Sequence, residues 1–123
     1  FGAGNQALEH IRTVLTVRKL PRTIYIVNRT VDKAEALKQK LLAEMVGDAE
    51  QVQIVALSLS EFQRGQYDEH RQVVGEADVI CTCTNSEEAL FDGKLLKKGV
   101  HINAVGSYKP NMIELDESVV DAC

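Results

Sequence analysis

The stretch "FGAGNQALEH" (residues 1–10) sets Gly2, Gly4 and Ala7 in a small-residue turn that runs straight into helix-forming residues. It fits G-x-G-x-x-A, the alanine-ended form of the fingerprint by which a strand-to-helix turn accepts a dinucleotide. Gly2 permits the tight turn, Gly4 lets the backbone approach a pyrophosphate, and Ala7 lets the helix pack closely on a sheet. Asn5 and Gln6 lie where the helix begins its approach, and the helix N-terminus, with unpaired N–H groups and a positive dipole end, suits phosphate oxygens. Two glycines and an alanine at this spacing arise often by chance, so the reading rests on the helix and strand patterns of the residues after them. Such a turn ordinarily comes after a β-strand, and only Phe1 precedes it. Phe1 is therefore read as the last residue of that strand, and the chain as a domain excised from a larger polypeptide. Alone, such a chain is expected to expose two sheet edges and aggregate.

Apolar runs and helical periods alternate beyond the turn. Residues 6–19 place Ala7, Ile11, Val14, Leu15 and Val17 mostly along one helical stripe, which Leu20-Pro21-Arg22 ends. "TIYIV" (residues 23–27) is a continuous β-branched run, the mark of a strand covered on both faces. Thr30 reads as an N-cap for a helix over residues 31–45, with Ala34, Leu37, Leu41 and Leu42 inward. "VQIVAL" (residues 52–57), "DVICTCT" (78–84) and "VHINAVG" (100–106) are further strands, and Asp116 caps a closing helix. Residues 61–77 are polar, with a short helix over 67–74. Connections long enough for crossovers imply a doubly wound α/β domain, a parallel sheet with helices on both faces and its first strand largely absent. Ligands in such sheets bind beyond the carboxyl ends of the strands, which selects residues 28–30, 82–86 and 105–108.

The end of the "TIYIV" strand distinguishes the two nicotinamide dinucleotides. An NAD(H) site usually places a carboxylate there for the ribose hydroxyls, whereas this strand ends Asn28-Arg29-Thr30 and the first acid is Asp32. Arg29 can meet a 2′-phosphate with paired N–H donors, with Asn28 and Thr30 adding hydrogen bonds, so NADP(H) is favoured over NAD(H). "CTCTNS" offers Thr84 and Asn85 to a ribose and nicotinamide, with Cys81 and Cys83 facing inward or lining the wall. Gly106 stands where the backbone must pass a flat ring, followed by Ser107 and Tyr108.

Composition narrows the alternatives. A chain of 123 residues, 45% hydrophobic, is sized for one domain with a core. A net charge of -4 disfavours a nucleic-acid partner, and Lys94, Lys97 and Lys98 read as a solvated face. No run reaches the roughly 20 apolar residues of a membrane helix. Cys81 and Cys83 read as buried thiols on one strand face rather than half a metal site, which fits a reducing, cytoplasmic compartment. His10, His70 and His101 are scattered and read as structural or solvated, and Glu87, Glu88 and Asp92 as a solvent-facing loop. No catalytic residue can be named; a cofactor that carries its own chemistry needs mainly placement.

Together "FGAGNQALEHI", "VNRT", "ADVICTCTNS" and "LLKKGVHINAVGSYKPNMIELD" resemble the ornithine cyclodeaminase and mu-crystallin family, in that family's order and over nearly the whole chain. The stretch over residues 99–115 is the most specific part. The resemblance implies an NAD(P)-binding Rossmann domain within a two-domain, homodimeric subunit, whose other domain binds an amino acid or imine substrate. The family's reactions pass through an imine beside a carboxylate: cyclising deamination of ornithine, reduction of ketimines, and alanine dehydrogenation. By position, Gly2, Gly4, Asn5, Gln6 and Ala7 would hold the pyrophosphate, and Asn28, Arg29 and Thr30 the 2′-phosphate. Cys83, Thr84 and Asn85, with Val105, Gly106 and Ser107, would form the ribose and nicotinamide side. Ornithine cyclodeaminases carry aspartate two residues after the "NAVG" glycine, where this chain has Tyr108, which moves the reading toward the reductases. Residues 61–75 also exceed the family's usual length there. Two alternatives stay open: a non-catalytic NADP(H)-dependent binding protein, as mu-crystallin is for a hormone, or a domain like that of shikimate dehydrogenase or glutamyl-tRNA reductase. "HINAVG" and "IELD" argue against the latter pair.

Overall fold

Strands and helices alternate along the computed structural model, which describes residues 1–18, 21–45, 47, 51–64 and 67–122, with 67–69 described by backbone alone. In order these are α1 (Asn5–Val17), β1 (Thr23–Asn28), α2 (Val31–Glu44), β2 (Gln53–Ser58), α3 (Leu59–Arg64), α4 (Tyr67–Glu76), β3 (Val79–Thr82), a 3-10 turn (Gly93–Leu95), β4 (His101–Ala104) and α5 (Glu117–Ala122). They fall into two compact units, residues 2–59 and residue 1 with the chain from 60 onward.

In the first unit β1 and β2 run parallel, Thr23 opposite Gln53 through Asn28 opposite Ser58. Parallel neighbours need a crossover, and α2 supplies it while packing on both strands. Ala34, Leu37 and Leu41, three and four residues apart, form its buried stripe over Ile26, Val27 and Ile54. Thr30 does stand at the N-cap of α2, but its side chain makes no capping hydrogen bond. In α1 the buried residues are Ala7 and Leu8. Val17, expected on the inner stripe, is 75% exposed. Nine residues at about 100° each put it half a turn around the helix from Leu8. The Arg12 guanidinium forks onto Glu44 (Nε 3.1 Å, Nη2 2.5 Å) and also meets Glu9, tying α1 to α2 and holding the Glu44 carboxyl below its usual range. Lys19 and Leu20, expected at the end of α1, lie outside the described residues.

In the second unit β3 and β4 are also parallel, Val79 opposite His101 through Thr82 opposite Ala104. Phe1 lies along β3, donating to the Cys81 carbonyl (2.8 Å) and accepting from the Cys83 N–H (2.9 Å), the bond pattern of a parallel ladder. Its ring stacks on Phe91 (5.3 Å between centroids) and meets Phe62 edge-on (5.4 Å), within a core that includes Ile80, Val74, Leu90 and Val119. Phe62 comes from α3, a helix that the polar composition of residues 61–77 concealed; α4 matches the short helix expected there, and Gly65 and Gln66 lie outside the described residues. The inward face of β3 carries Ile80 and Thr82, so Cys81 and Cys83 are only half-buried rather than buried, as strand alternation requires once Thr82 points in. Cys123 lies outside the described residues. Asp116 caps α5 as expected, accepting from the Val119 N–H (3.1 Å) and the Ser118 hydroxyl (2.6 Å). Among the described residues the strands thus form two parallel pairs, β1 with β2 and β3 with β4, and no helix is long and apolar enough to cross a membrane.

Candidate dinucleotide site

The glycine turn takes the form its sequence implies. Gly2 has φ +97°, a left-handed conformation that favours glycine, and its N–H donates to the Val27 carbonyl at 2.8 Å. Gly4 is the N-cap of α1, its carbonyl accepting the Leu8 N–H at 3.1 Å, and it offers no side-chain cap. A Cβ built on Gly4 would meet no atom within 4 Å, so the start of α1 faces open space. Asn5 and Gln6 are exposed there, while Ala7 is buried under the helix. The first N–H groups of any helix lack intrahelical partners, so this end keeps donors free for an anion. A groove runs beside it, with Gly4, Asn5 and Leu8 on one side and Lys33, Leu37 and Lys40 on the other. Those two lysines were missed in the sequence, where they read as ordinary solvated positions of an amphipathic helix.

At the end of β1 the Asn28 side chain folds back to donate to the Thr30 carbonyl (2.9 Å), shaping the loop before α2. Arg29 and Thr30 are exposed. Among the described residues no carboxylate pairs with Arg29. The strand end thus presents an unengaged guanidinium and no acid, a donor set matched to a phosphate rather than to a pair of ribose hydroxyls.

The loops after β3 and β4 are built differently. Cys83 and Thr84 leave β3, Asn85 is exposed, and Val105 continues the β4 ladder by donating to the Thr82 carbonyl at 2.9 Å. Burial pushes the Cys83 thiol up from its ordinary range, so this sulfur is a poor nucleophile. Between the loops lies Glu114, fully buried. Its Oε1 accepts from the Thr84 N–H (2.6 Å) and hydroxyl (2.7 Å), and its Oε2 from the Gly106 N–H (2.8 Å). Its own N–H donates to the Ser107 hydroxyl (3.1 Å), and its carbonyl accepts from Leu90 (2.9 Å). A Cβ on Gly106 would fall 1.9 Å from the Thr84 carbonyl and 2.3 Å from Glu114 Oε1. The glycine is therefore required by its own neighbours. Glu114 was not identified from the sequence as a site residue; its signal was a lone acid inside the apolar run Met112-Ile113-Glu114-Leu115.

The histidines stand apart from these loops. His10 bonds the Gln6 carbonyl on α1, and His101 meets Asn103. His70 lies against the Phe62 ring, 4.2 Å between centroids, and its burial lowers its basicity, offset in part by Asp92. Lys97, expected on a solvated face, binds the Glu76 carbonyl (2.8 Å) and Asp78 (2.6 Å), closing the end of α4. Asp92, expected in a solvent-facing loop, caps the 3-10 turn through the Lys94 N–H. Tyr108 is 74% exposed beside Lys109. Among the described residues no three His, Cys, Asp or Glu side chains converge as metal ligands.

The model of the ornithine cyclodeaminase/mu-crystallin family matches residues 1–122. Delta(1)-pyrroline-2-carboxylate reductase of Bacillus cereus is 36% identical over 120 residues, covering 98% of this chain and 32% of that protein. Ketimine reductase mu-crystallin of Rattus norvegicus is 33% identical over 120 residues, with 98% and 32% covered. Protein SAR DEFICIENT 4 of Arabidopsis thaliana is 28% identical over 119 residues, with 97% and 33% covered. The chain spans about a third of the length of the curated relatives it matches.

Proposed function

The chain belongs to the ornithine cyclodeaminase/mu-crystallin family, and we propose that it is the NADP(H)-holding part of an enzyme that reduces a cyclic ketimine or interconverts an amino acid and its imine. The observation that carries this reading is the pair of unengaged anion-binding features in residues 2–59, the open turn at Gly4 and the exposed Arg29 at a strand end without an acid. Gly2, Gly4, Asn5, Gln6 and Ala7 would hold the pyrophosphate. Asn28, Arg29 and Thr30 would hold the 2′-phosphate, with Lys33 adding positive charge from the first turn of α2. Asn85 and Ser107, with Cys83, Thr84, Val105 and Gly106 behind them, would bound the ribose and nicotinamide. In this reading the alternation of strands and helices implies a doubly wound fold.

The cofactor, when bound, supplies the hydride. The chain's residues would hold and orient it. Tyr108 in place of aspartate favours reduction over cyclising deamination. A homodimeric, cytoplasmic protein whose further residues bind the substrate completes the proposal.

The test is to mix the intact protein with NADPH and a panel of cyclic imine carboxylates, including Δ1-pyrroline-2-carboxylate, and follow loss of reduced-nicotinamide absorbance. Consumption of NADPH with one of them is expected. Binding of NADPH without consumption across the panel would replace the enzyme reading with that of a binding protein. No binding would refute both.

A further inference from the structure

We infer that Glu114 is a positioning residue for the nicotinamide end of the cofactor, a buried carboxylate that sets the spacing of the loops after β3 and β4. The inference rests on the function proposed above. A carboxyl group with no solvent exposure is unfavourable to bury unless donors surround it. Here three donors converge on its two oxygens, two from Thr84 and one from Gly106. Two oxygens accept all three bonds, which an amide, with one oxygen and one donor nitrogen, cannot do. The bonds span 30 residues to Thr84 and 8 to Gly106, so one side chain ties the loop after β3 to the loop after β4 beyond the last ladder pair, Thr82 opposite Ala104.

This changes the part played by two residues expected to touch the cofactor. Both Thr84 protons are directed at Glu114, and its hydroxyl oxygen also accepts from the Ser86 N–H at 3.2 Å. The Gly106 N–H is shared between Glu114 Oε2 and the Thr82 carbonyl (3.2 Å). Thr84 and Gly106 are therefore parts of the clamp. Direct contact falls to the exposed groups that the clamp carries, Asn85 and Ser107.

The experiment compares two ligands on the intact protein: NADPH, and 2′,5′-ADP, which has the phosphate end and no nicotinamide. Whichever way its amide is turned, Glu114→Gln faces a donor with a donor. It is expected to weaken NADPH about tenfold or more, since small misplacement of positioning groups has effects of that size or larger. Affinity for 2′,5′-ADP should change less than about twofold, and Glu114→Asp should not restore the wild-type ratio because it cannot span both loops. Equal losses for both ligands, or no loss for either, overturn the role. If Glu114→Gln does not fold, Thr84→Val decides: a selective loss of NADPH supports the clamp, and its absence overturns it. Combining the two substitutions should add little to Glu114→Gln alone, while additive losses mean the hydroxyl meets the cofactor itself and overturn the assignment. A wild-type protein that binds neither ligand defeats the proposed function, and this inference with it; a wild type that binds both while the variants lose nothing defeats only the inference.

Discussion

The loop ends of the two units solve opposite problems. In residues 2–59 the polar groups stay open: Gly4 faces empty space, the start of α1 lacks a side-chain cap, and Arg29 is exposed. In the unit from residue 60 the polar groups turn inward, with Thr84 and Gly106 closed on Glu114 and Ser86 on Glu88 (2.6 Å). The first arrangement suits recognition of charge, where donors must be available. The second suits placement, where the backbone must be stiff and only a few exposed atoms touch the ligand. Two glycines condense the contrast. A Cβ on Gly4 would meet open space, whereas one on Gly106 would collide with its own neighbours.

The largest expected effect tests that contrast at Gly106. Gly106→Ala forces a methyl group into the Thr84 carbonyl and the Glu114 carboxyl, 1.9 Å and 2.3 Å away. It should destabilise the protein by about 3 kcal/mol in chemical denaturation. A loss under about 0.5 kcal/mol would mean that the loop is not held as described.

Gly4→Ala and Arg29→Ala should do the reverse, leaving stability within about 0.5 kcal/mol while weakening NADPH about tenfold, or about 1.4 kcal/mol. They differ in selectivity. Gly4→Ala should affect NADPH and NADH alike, because both carry the pyrophosphate; Arg29→Ala should affect NADPH far more. Equal losses from Arg29→Ala would remove the 2′-phosphate from its role.

The third effect sits in the inward-turned unit. Asp116→Ala deletes the cap of α5 and should cost about 1 kcal/mol. The Ser118 hydroxyl first, and then backbone N–H groups, hold the Asp116 carboxyl below its usual range. A depressed folded-state value contributes stability that is present above the unfolded value of about 3.9 and is lost as pH falls through the folded one. The difference between wild type and Asp116→Ala should therefore shrink in acid, as urea midpoints at several pH values would reveal.

The smallest effect concerns His70. Burial lowers its basicity, so its contribution is present above an unfolded value of about 6.5 and fades as pH falls below it. Wild type should lose more melting temperature between about pH 7.5 and about pH 5.5 than His70→Gln does. Parallel curves would show that the neutral ring is not favoured in the folded state.

How much of this was legible in the sequence obeys the same division. The turn at Gly2 and Gly4, the β1–α2–β2 crossover and the acid-free end at Asn28 depend on neighbours a few residues apart, and their pattern is visible along the chain. The clamp is not local. Glu114 lies 30 residues from Thr84, and nothing at either position announces the other. Gly106 reads along the chain as a backbone that must pass a flat ring, while the neighbours that crowd it within the fold, the Thr84 carbonyl and Glu114 Oε1, are not visible there. Phe62 was hidden because polar neighbours dilute a short helix whose single buried ring comes to rest against Phe1, far away in sequence. Val17 shows the converse error, an apolar residue counted inward although its helical angle carries it to solvent.

The central claim is that this chain recognises a nicotinamide dinucleotide by its 2′-phosphate. Titrating the intact protein with NADPH and with NADH, followed by nicotinamide fluorescence, tests it most directly. NADPH should bind at least about tenfold more tightly, the scale of a charge-assisted contact to a guanidinium. Equal affinities, or a preference for NADH, would contradict the account.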